Sequence, residues 1–234
     1  GDGQDKGREV GKAQHMVDHP GQGLGVRGEG FLVPVEEVPP VLVDPGGSRQ
    51  GAAMIDAAIG EVTDQPVVLV INTGGQDHRW MGNGYFKEKG ARIVANRKAV
   101  EDQRARASEQ LSMLATLIGT DRLQGTEPAY ADETFDEALD LEVGGVRLEL
   151  RHAARAHTPG DSFVWLPDAG VVFTGDIVYV ERRLGVIPVA SSREWVEAFE
   201  AMAALEPAVV VPGHGSPTDL ARATADTYDY LVFL

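Results

Sequence analysis

Short apolar runs, each followed by a polar turn rich in glycine or proline, constrain the fold of this chain more than any other feature. The runs at 67–71 and 208–211 have the length and the β-branched content of buried strands. Helical spacing of apolar residues is found at 49–63, 98–118 and 193–205. Strands therefore occur in two groups with helices between and after them. This order predicts two sheets packed face to face, with helices on their outer sides.

The chain divides into a short arm and one domain. Residues 1–30 contain nine glycines and little apolar periodicity, which predicts an N-terminal arm without regular structure. Residues 31–234 form the predicted domain, beginning with two short strands at 31–33 and 41–43. The acidic segment 121–140 is predicted to be an excursion or a lid.

Composition limits the partners and the chemistry. Lys and Arg number 21 against 36 Asp and Glu, so the net charge is −15, which argues against nucleic acid or an anionic membrane as the main partner. No cysteine is present, which excludes disulfides, thiolate-bound zinc and a thiol nucleophile. No apolar stretch is long enough to span a bilayer. A small-molecule substrate remains, while the compartment and the oligomeric state stay open.

Four candidate site residues lie where predicted strands end. His78 follows the strand at 67–71, His157 precedes the one at 163–166, and Asp176 and His214 follow two others. Turns at strand ends are common positions for reactive groups on a rigid scaffold. Imidazoles and a carboxylate, in a chain without cysteine, are typical ligands of zinc or a similar metal.

Three of these turns carry a family resemblance. The segments His157-Thr-Pro-Gly-Asp161, Phe173-Thr-Gly-Asp176 and Pro212-Gly-His214-Gly215 resemble the third, fourth and fifth motifs of the metallo-β-lactamase superfamily. Asp44-Pro-Gly-Gly-Ser48 resembles its first motif. The resemblance covers roughly 31–234. It implies an α+β fold, a four-layer αββα sandwich, with a metal site at one edge between the two sheets.

The second motif departs from the family pattern, which is His-x-His-x-Asp-His after an Asn-Thr pair. Without a gap, Gly74 and Gln76 stand at the first two histidines, His78 at the aspartate and Arg79 at the last histidine. A shift of one residue would instead place Asp77 and His78 on the Asp-His pair. Both alignments remain open.

The resemblance implies that the second metal site of the family is the better retained one here. His78, Asp176 and His214 would be its ligands, with Asp77 as a fourth. Three or four N/O ligands suit a catalytic zinc with one open position.

The first site is poorer in ligands. His157 is its only imidazole, with Asp176 shared and Gln76 as a weak neutral donor. Arg79 would add positive charge that disfavours a second dication. We therefore expect one zinc ion, or another divalent metal, or none.

A retained metal would make the protein a metal-dependent hydrolase acting on an ester-, thioester- or amide-like bond. Asp77 or Asp176 would orient the water and accept its proton, and Arg79 would meet an anionic group or the developing oxyanion. A metal-poor binding or accessory protein of the same superfamily is the alternative, and an iron-dependent oxidoreductase is a third. His152 has no predicted ligand role.

Overall fold

The computed structural model describes residues 38–233, which form two β-sheets with helices on their outer sides. The first sheet is parallel and has the order β1-β2-β3-β4: β1 (Val41–Val43), β2 (Leu69–Asn72), β3 (Arg92–Asn96) and β4 (Glu133–Phe135). The second sheet has the order β5-β6-β7-β8-β9: β5 (Ala138–Val143), β6 (Val146–Arg151), β7 (Phe163–Leu166), β8 (Val171–Tyr179) and β9 (Val209–His214). Its neighbours are antiparallel except β8 and β9, which are parallel.

The helices lie between and after the strands, as the sequence predicts. They are α1 (Arg49–Gly60), α2 (Asn83–Glu88), α3 (Arg97–Ile118), α4 (Ser192–Ala203), α5 (Leu220–Ala223) and α6 (Asp229–Phe233). Two 3₁₀ turns (Asp77–Arg79 and Thr120–Leu123) and a π-helical turn (Thr224–Tyr228) complete the regular structure. In the described part of the chain, no helix combines the length and apolar character needed to cross a membrane.

Side-chain caps fix the starts of two helices beside the site. Ser48 Oγ accepts a hydrogen bond from the Gly51 amide at 3.0 Å, and α1 begins at the next residue. Asn96 Oδ1 accepts one from the Lys98 amide at 2.9 Å, which begins α3 directly at the end of β3. Both residue types are preferred at this position because their oxygens satisfy amides without a helical partner.

Three apolar layers hold the sandwich together. Between the sheets, side chains such as Ile71 and Val94 of the first sheet pack with Leu150 and Val164 of the second. A separate cluster joins the first sheet to α1 and α2, and another packs Trp195 and its neighbours on α4 against β8. Each sheet thus has one face on the partner sheet and one face under helices. The predicted αββα sandwich is confirmed.

The segment at 121–140 is not an excursion. It contains the 3₁₀ turn Thr120–Leu123, strand β4 and the start of β5. Asp132 Oδ2 accepts a hydrogen bond from the Ile93 amide at 3.0 Å, and β4 then pairs with β3. The acidic composition suits this place, because charged residues on an edge strand discourage pairing with other chains.

Strand β8 is longer than predicted and is interrupted by bulges. The sequence predicts that it ends at residue 174, but it continues to Tyr179, with register shifts on either side of Gly175. Gly175 has a φ of 49°, a conformation that favours glycine. Asp176 therefore belongs to a bulged strand, where the backbone can direct a side chain toward a site.

Strands β5 and β6 form an antiparallel hairpin around Gly144-Gly145, a pair of residues typical of tight hairpin turns. The predicted strand at 31–33 and the predicted arm at 1–30 lie outside the described residues.

Candidate functional site

The predicted site residues at three strand ends converge on the carboxylate of Asp176. His78 Nε2 lies 3.4 Å from Asp176 Oδ2, and His214 Nε2 lies 3.3 Å from Oδ1. One ligand atom from each of His78, Asp176 and His214 falls within 4.8 Å of the other two. His157 Nε2 lies slightly farther out, 3.7 Å from Asp176 Oδ2. The first sheet supplies His78, and the second sheet supplies the other three side chains.

Asp77 orients His78 through contacts with its amide and its ring. Its Oδ1 accepts a hydrogen bond from the His78 amide at 2.7 Å and lies 3.2 Å from His78 Nδ1. Both of these contacts are with His78, and the predicted roles of Asp77 as a fourth ligand and as a water-orienting group stay predictions. Its contact holds Nδ1 and leaves Nε2 facing Asp176. A carboxylate on the distal nitrogen commonly orients a ligating histidine in this way.

His157 is held by the loop that precedes α4. Its Nδ1 lies 2.5 Å from the Gly185 carbonyl oxygen, to which an Nδ1–H donates. Its ring packs edge-on against Trp195, with a centroid distance of 5.9 Å. Burial lowers the pKa of His157, although the Asp176 carboxylate opposes this effect. The ring therefore presents a neutral Nε2 toward Asp176, at the outer side of the three-residue cluster.

His214 is the last residue of β9 and packs against a tyrosine. Its ring centroid lies 4.3 Å from that of Tyr179, which pairs with it across the β8–β9 ladder. Arg182 Nη1 lies 3.2 Å from His214 Nδ1 at the exposed side. Burial lowers the pKa of His214 to about 3, which keeps the imidazole neutral as a metal ligand requires.

Arg79 is buried and pairs with two carboxylates of the protein. Its side chain is 1% exposed, with Nη1 3.0 Å from Asp161 Oδ1 and Nη2 2.9 Å from Asp176 Oδ2. A buried guanidinium requires such partners, because an unpaired charge away from water is very costly. The structure shows Arg79 as an internal counterion of two carboxylates. Its predicted contact with an anionic substrate group or an oxyanion stays a prediction.

Asp176 stays ionised in this environment. Burial on its own would raise its pKa, but Arg79, His78 and His214 together hold it well below the usual range. Burial on its own would lower the pKa of His78, yet the nearby carboxylates of Asp176 and Asp77 raise it overall to about 9. A metal ion would displace that proton, because only neutral imidazole coordinates.

The residues present fit a single divalent metal. His78 Nε2 and both Asp176 oxygens are buried and lack a hydrogen bond of acceptable geometry among the described residues, although Asp176 Oδ2 has its ion pair with Arg79. His78 Nε2 lies 3.4 Å from Asp176 Oδ2 and His214 Nε2 lies 3.3 Å from Asp176 Oδ1, close to the roughly 3.3 Å expected between ligands that each lie ~2.0 Å from a tetrahedral zinc. No pair in the set of three ligand atoms is more than 4.8 Å apart. Polar atoms left unpaired in this way indicate a missing partner.

The first metal site of the predicted pair is not assembled in the same way. His157 is its imidazole, and position 74 carries no side chain. Gln76 Oε1 is buried without a hydrogen-bond partner in the described structure, so its role as a ligand stays a prediction. His152 Nδ1 contacts the Asp161 carbonyl oxygen at 2.7 Å, which places this ring behind the site.

Several residues around the site were not identified from the sequence. Tyr179 reads as part of an apolar strand, and nothing in the pattern distinguishes Arg182 from other surface cations. For Asp161, its place in the His-Thr-Pro-Gly-Asp motif is the one feature of the sequence that could have identified it as a site residue. The Asp161 carboxylate accepts hydrogen bonds from the Thr158 amide at 2.7 Å and from the Thr158 hydroxyl at 2.5 Å. It also forms an ion pair with Arg79.

Comparison with known proteins agrees with this architecture. The chain is similar in structure to a metallo-beta-lactamase from Pontibacter korlensis, with 22% identity, a TM-score of 0.68 and 85% of each chain covered. It is also similar to the metallo-beta-lactamase IND-7, with 21% identity, a TM-score of 0.66 and coverage of 85% of this chain and 83% of that one. It is similar as well to the DIM-1 metallo-beta-lactamase exposed to ceftazidime, with 19% identity, a TM-score of 0.64 and coverage of 85% of this chain and 82% of that one. These likenesses show the shared fold. The model of the metallo-beta-lactamase superfamily matches residues 39–214, and the chain therefore belongs to that superfamily.

Proposed function

We propose that this protein is a hydrolase that uses one divalent metal ion, zinc by preference, to cleave an ester-, thioester- or amide-like bond in a small molecule. Membership of the superfamily supports a metal-dependent hydrolase-type function. The observation that carries the proposal is the cluster of His78, Asp176 and His214, whose ligand atoms lie within 4.8 Å of one another.

The three proposed ligands, and Asp77 beside His78, would each have a role in the reaction. A bound metal would supply Lewis acidity and lower the pKa of a water molecule toward neutrality. His78 would be held in its ligating orientation by Asp77, and Asp176 would contribute the negative charge of the site. Three protein ligands leave one position of a tetrahedral zinc open for water or substrate.

His157 is suited to accept a proton. Its Nδ1 is occupied by the Gly185 carbonyl, and its neutral Nε2 faces Asp176 at 3.7 Å. A neutral imidazole within reach of the attacking water is the usual general base at neutral pH. We assign this role to His157 because Asp77 is committed to His78 and Asp176 is committed to the cluster.

The experiment compares metal binding and hydrolysis in matched variants. The protein is stripped of metal, reloaded with zinc and assayed on chromogenic esters, thioesters and lactams. Asp176→Ala should lose tight zinc binding and at least about 100-fold in hydrolysis, because two remaining imidazoles compete poorly with water for the metal. Asp102→Ala is the control, since Asp102 is another buried aspartate and pairs with Arg106 within α3.

Two results would contradict the proposal. Full hydrolysis by Asp176→Ala would show that the cluster does not carry the reaction. Failure of the unmodified protein to bind zinc or to hydrolyse any ester, thioester or lactam would favour the alternative, a binding or accessory protein of the same superfamily.

A further inference from the structure

We propose that the guanidinium of Arg79 is a resident cation of this site, a positioning residue that holds Asp176 in place from a space that two glycines keep open. The inference concerns the protein's own charges. It rests on the proposed function only where Asp176 is treated as a metal ligand.

Gly74 provides part of the space. A Cβ at this position would lie 2.7 Å from Arg79 Cζ and even closer to Arg79 Nη1 and Asp161 Oδ1. Real Cβ atoms do not approach other heavy atoms so closely, and the obstacle is a buried ion pair that cannot swing into solvent. Any side chain at position 74, a histidine included, therefore competes with the guanidinium for one volume.

Gly175 provides the rest. A Cβ here would lie 2.6 Å from Thr73 Cβ and 3.1 Å from Arg79 Nη1. The φ of 49° already disfavours other residues. Thr73 Oγ1 accepts a hydrogen bond from Arg79 Nη1 at 3.2 Å. The guanidinium is thus surrounded by two glycines, a hydroxyl and two carboxylates.

The charges require a cation at this point. The side chains of Asp161 and Asp176 are both fully buried, and Arg79 bridges them at 3.0 and 2.9 Å. Two buried carboxylates without a cation between them would be strongly destabilising. A guanidinium has five donors and no lone pair, so it can neutralise the carboxylates but cannot coordinate a metal.

The guanidinium of Arg79 is anchored by Asp161 on one side and contacts Asp176 on the other. Asp161 is fixed by the Thr158 amide and hydroxyl, and Thr158 Oγ1 also accepts a hydrogen bond from the Gly75 amide at 3.1 Å. From this fixed side Arg79 reaches Asp176 Oδ2, while Oδ1 faces His214. Arg79 thereby sets the orientation of the carboxylate at the centre of the proposed metal cluster.

The test is chemical rescue of a variant that lacks the cation. Arg79→Ala should lower the midpoint of thermal unfolding by about 10 °C, because it leaves two buried carboxylates unpaired. Methylguanidinium chloride at a few millimolar should recover at least half of that loss, with sodium chloride at equal ionic strength as the salt control. The matched control is Arg106→Ala, which removes the arginine that pairs with Asp102 beside Gly75. Methylguanidinium should not restore this control.

A second readout separates positioning from mere stability. Cobalt(II) bound to the protein reports its ligand geometry through visible absorption bands. Arg79→Ala should change these bands, methylguanidinium should return them to those of the unmodified protein, and Arg106→Ala should leave them unchanged. Arg79→Lys, which keeps a charge but not the planar fork, should show intermediate bands and stability.

The outcomes are decisive in either direction. If Arg79→Ala does not fold, its yield on refolding with and without methylguanidinium replaces the thermal midpoint. Recovery by methylguanidinium supports the proposal, even if the unmodified protein proves to bind no metal, because stability does not depend on hydrolysis. A loss below about 2 °C, recovery no greater than that of Arg106→Ala, or cobalt bands that are unchanged in Arg79→Ala would overturn it.

Discussion

Asp44 is a buried carboxyl outside the histidine cluster whose protonation the fold alters. It has a φ of 60°, in the left-handed region that Asp and Asn tolerate better than most residues. Its Oδ1 accepts a hydrogen bond from the Thr73 amide at 2.8 Å, and Oδ2 accepts one from the Thr73 hydroxyl at 2.6 Å. Burial raises its pKa from 3.8 to about 6, although Arg79 and Thr73 act in the opposite direction.

This pKa gives a signed prediction for stability against pH. A carboxyl whose pKa is raised by folding binds its proton more tightly in the folded chain. Its favourable contribution is therefore complete below pH 3.8 and is lost as the pH rises through about 6. Asp44→Asn removes that dependence, so the variant should gain on the order of 2–3 kcal/mol relative to the unmodified protein between about pH 4 and pH 7.

Urea unfolding at a series of pH values measures this difference. Asp168→Asn is the control, since that aspartate is exposed on the surface. Parallel pH curves for the unmodified protein and Asp44→Asn would show that Asp44 has no such role.

For individual residues, the sequence predicts which side chains come together but not how each side chain is oriented. His157, Asp176 and His214 could be identified because polar residues in glycine-rich turns at strand ends share one edge of the fold. The orientation of the Asp77 carboxylate and the burial of Arg79 could not be predicted from the sequence. They depend on the rotation of a single 3₁₀ turn and on a carboxylate far away in the chain.

Among the elements, the neighbouring strands β8 and β9 control the site through close backbone contact. Gly213 precedes His214 in β9. A Cβ at Gly213 would lie 2.5 Å from Asp176 Oδ1 and 2.5 Å from the Gly175 carbonyl oxygen. The bulge in β8 therefore fits only against a bare backbone in β9.

Gly213→Ala should displace Asp176 and lower the free energy of unfolding by about 2 kcal/mol, a typical cost of overpacking. The substitution should also weaken zinc binding at least about tenfold, because the displaced atom, Asp176 Oδ1, lies beside His214 in the proposed ligand cluster. Chemical unfolding and competition with a chromogenic chelator measure the two effects.

Gly60→Ala provides the control for this substitution. Gly60 ends α1, and a Cβ added there would meet no atom of the described residues within 4 Å. The change should leave zinc affinity intact and stabilise the protein by up to ~1 kcal/mol. Equal behaviour of the two variants would disprove the packing argument at Gly213.

Element types follow from sequence period more reliably than element ends do. The apolar runs and helical stripes predict most strands and helices correctly, because each buries one regular face. The bulged extension of β8 and the edge strand β4 were missed. A bulge breaks the alternation of period two, and a polar edge strand has no apolar run to detect.

For the whole molecule, the proposed metal would join its two halves. His78 comes from the first sheet, whereas Asp176 and His214 come from the second. A metal bound to all three should therefore oppose separation of the sheets as well as local motion. Ligand binding to the folded state alone raises stability by mass action.

Chelation should lower the midpoint of thermal unfolding. With free zinc at about 100 times its dissociation constant the stabilisation is about 2.7 kcal/mol, or roughly 5–10 °C for a chain of this size. Asp176→Ala should unfold at the same temperature with zinc and with chelator. A midpoint of the unmodified protein that is insensitive to chelator would contradict a metal held between the sheets.

The overall architecture could be predicted because the later motifs, each at a strand end, resemble those of the superfamily over most of the chain. The number of metal ions could not follow from that resemblance, because it depends on the altered turn at 74–79. There, a buried arginine and a glycine replace potential ligands.

Elemental analysis of the unmodified protein, loaded with zinc and dialysed against metal-free buffer, tests the central claim most directly. The cluster of His78, Asp176 and His214, with Arg79 as the fixed cation beside it, predicts one equivalent of zinc per chain. Two equivalents would show that a second site is complete despite Gly74 and Arg79, and zero would show that the cluster does not hold a metal.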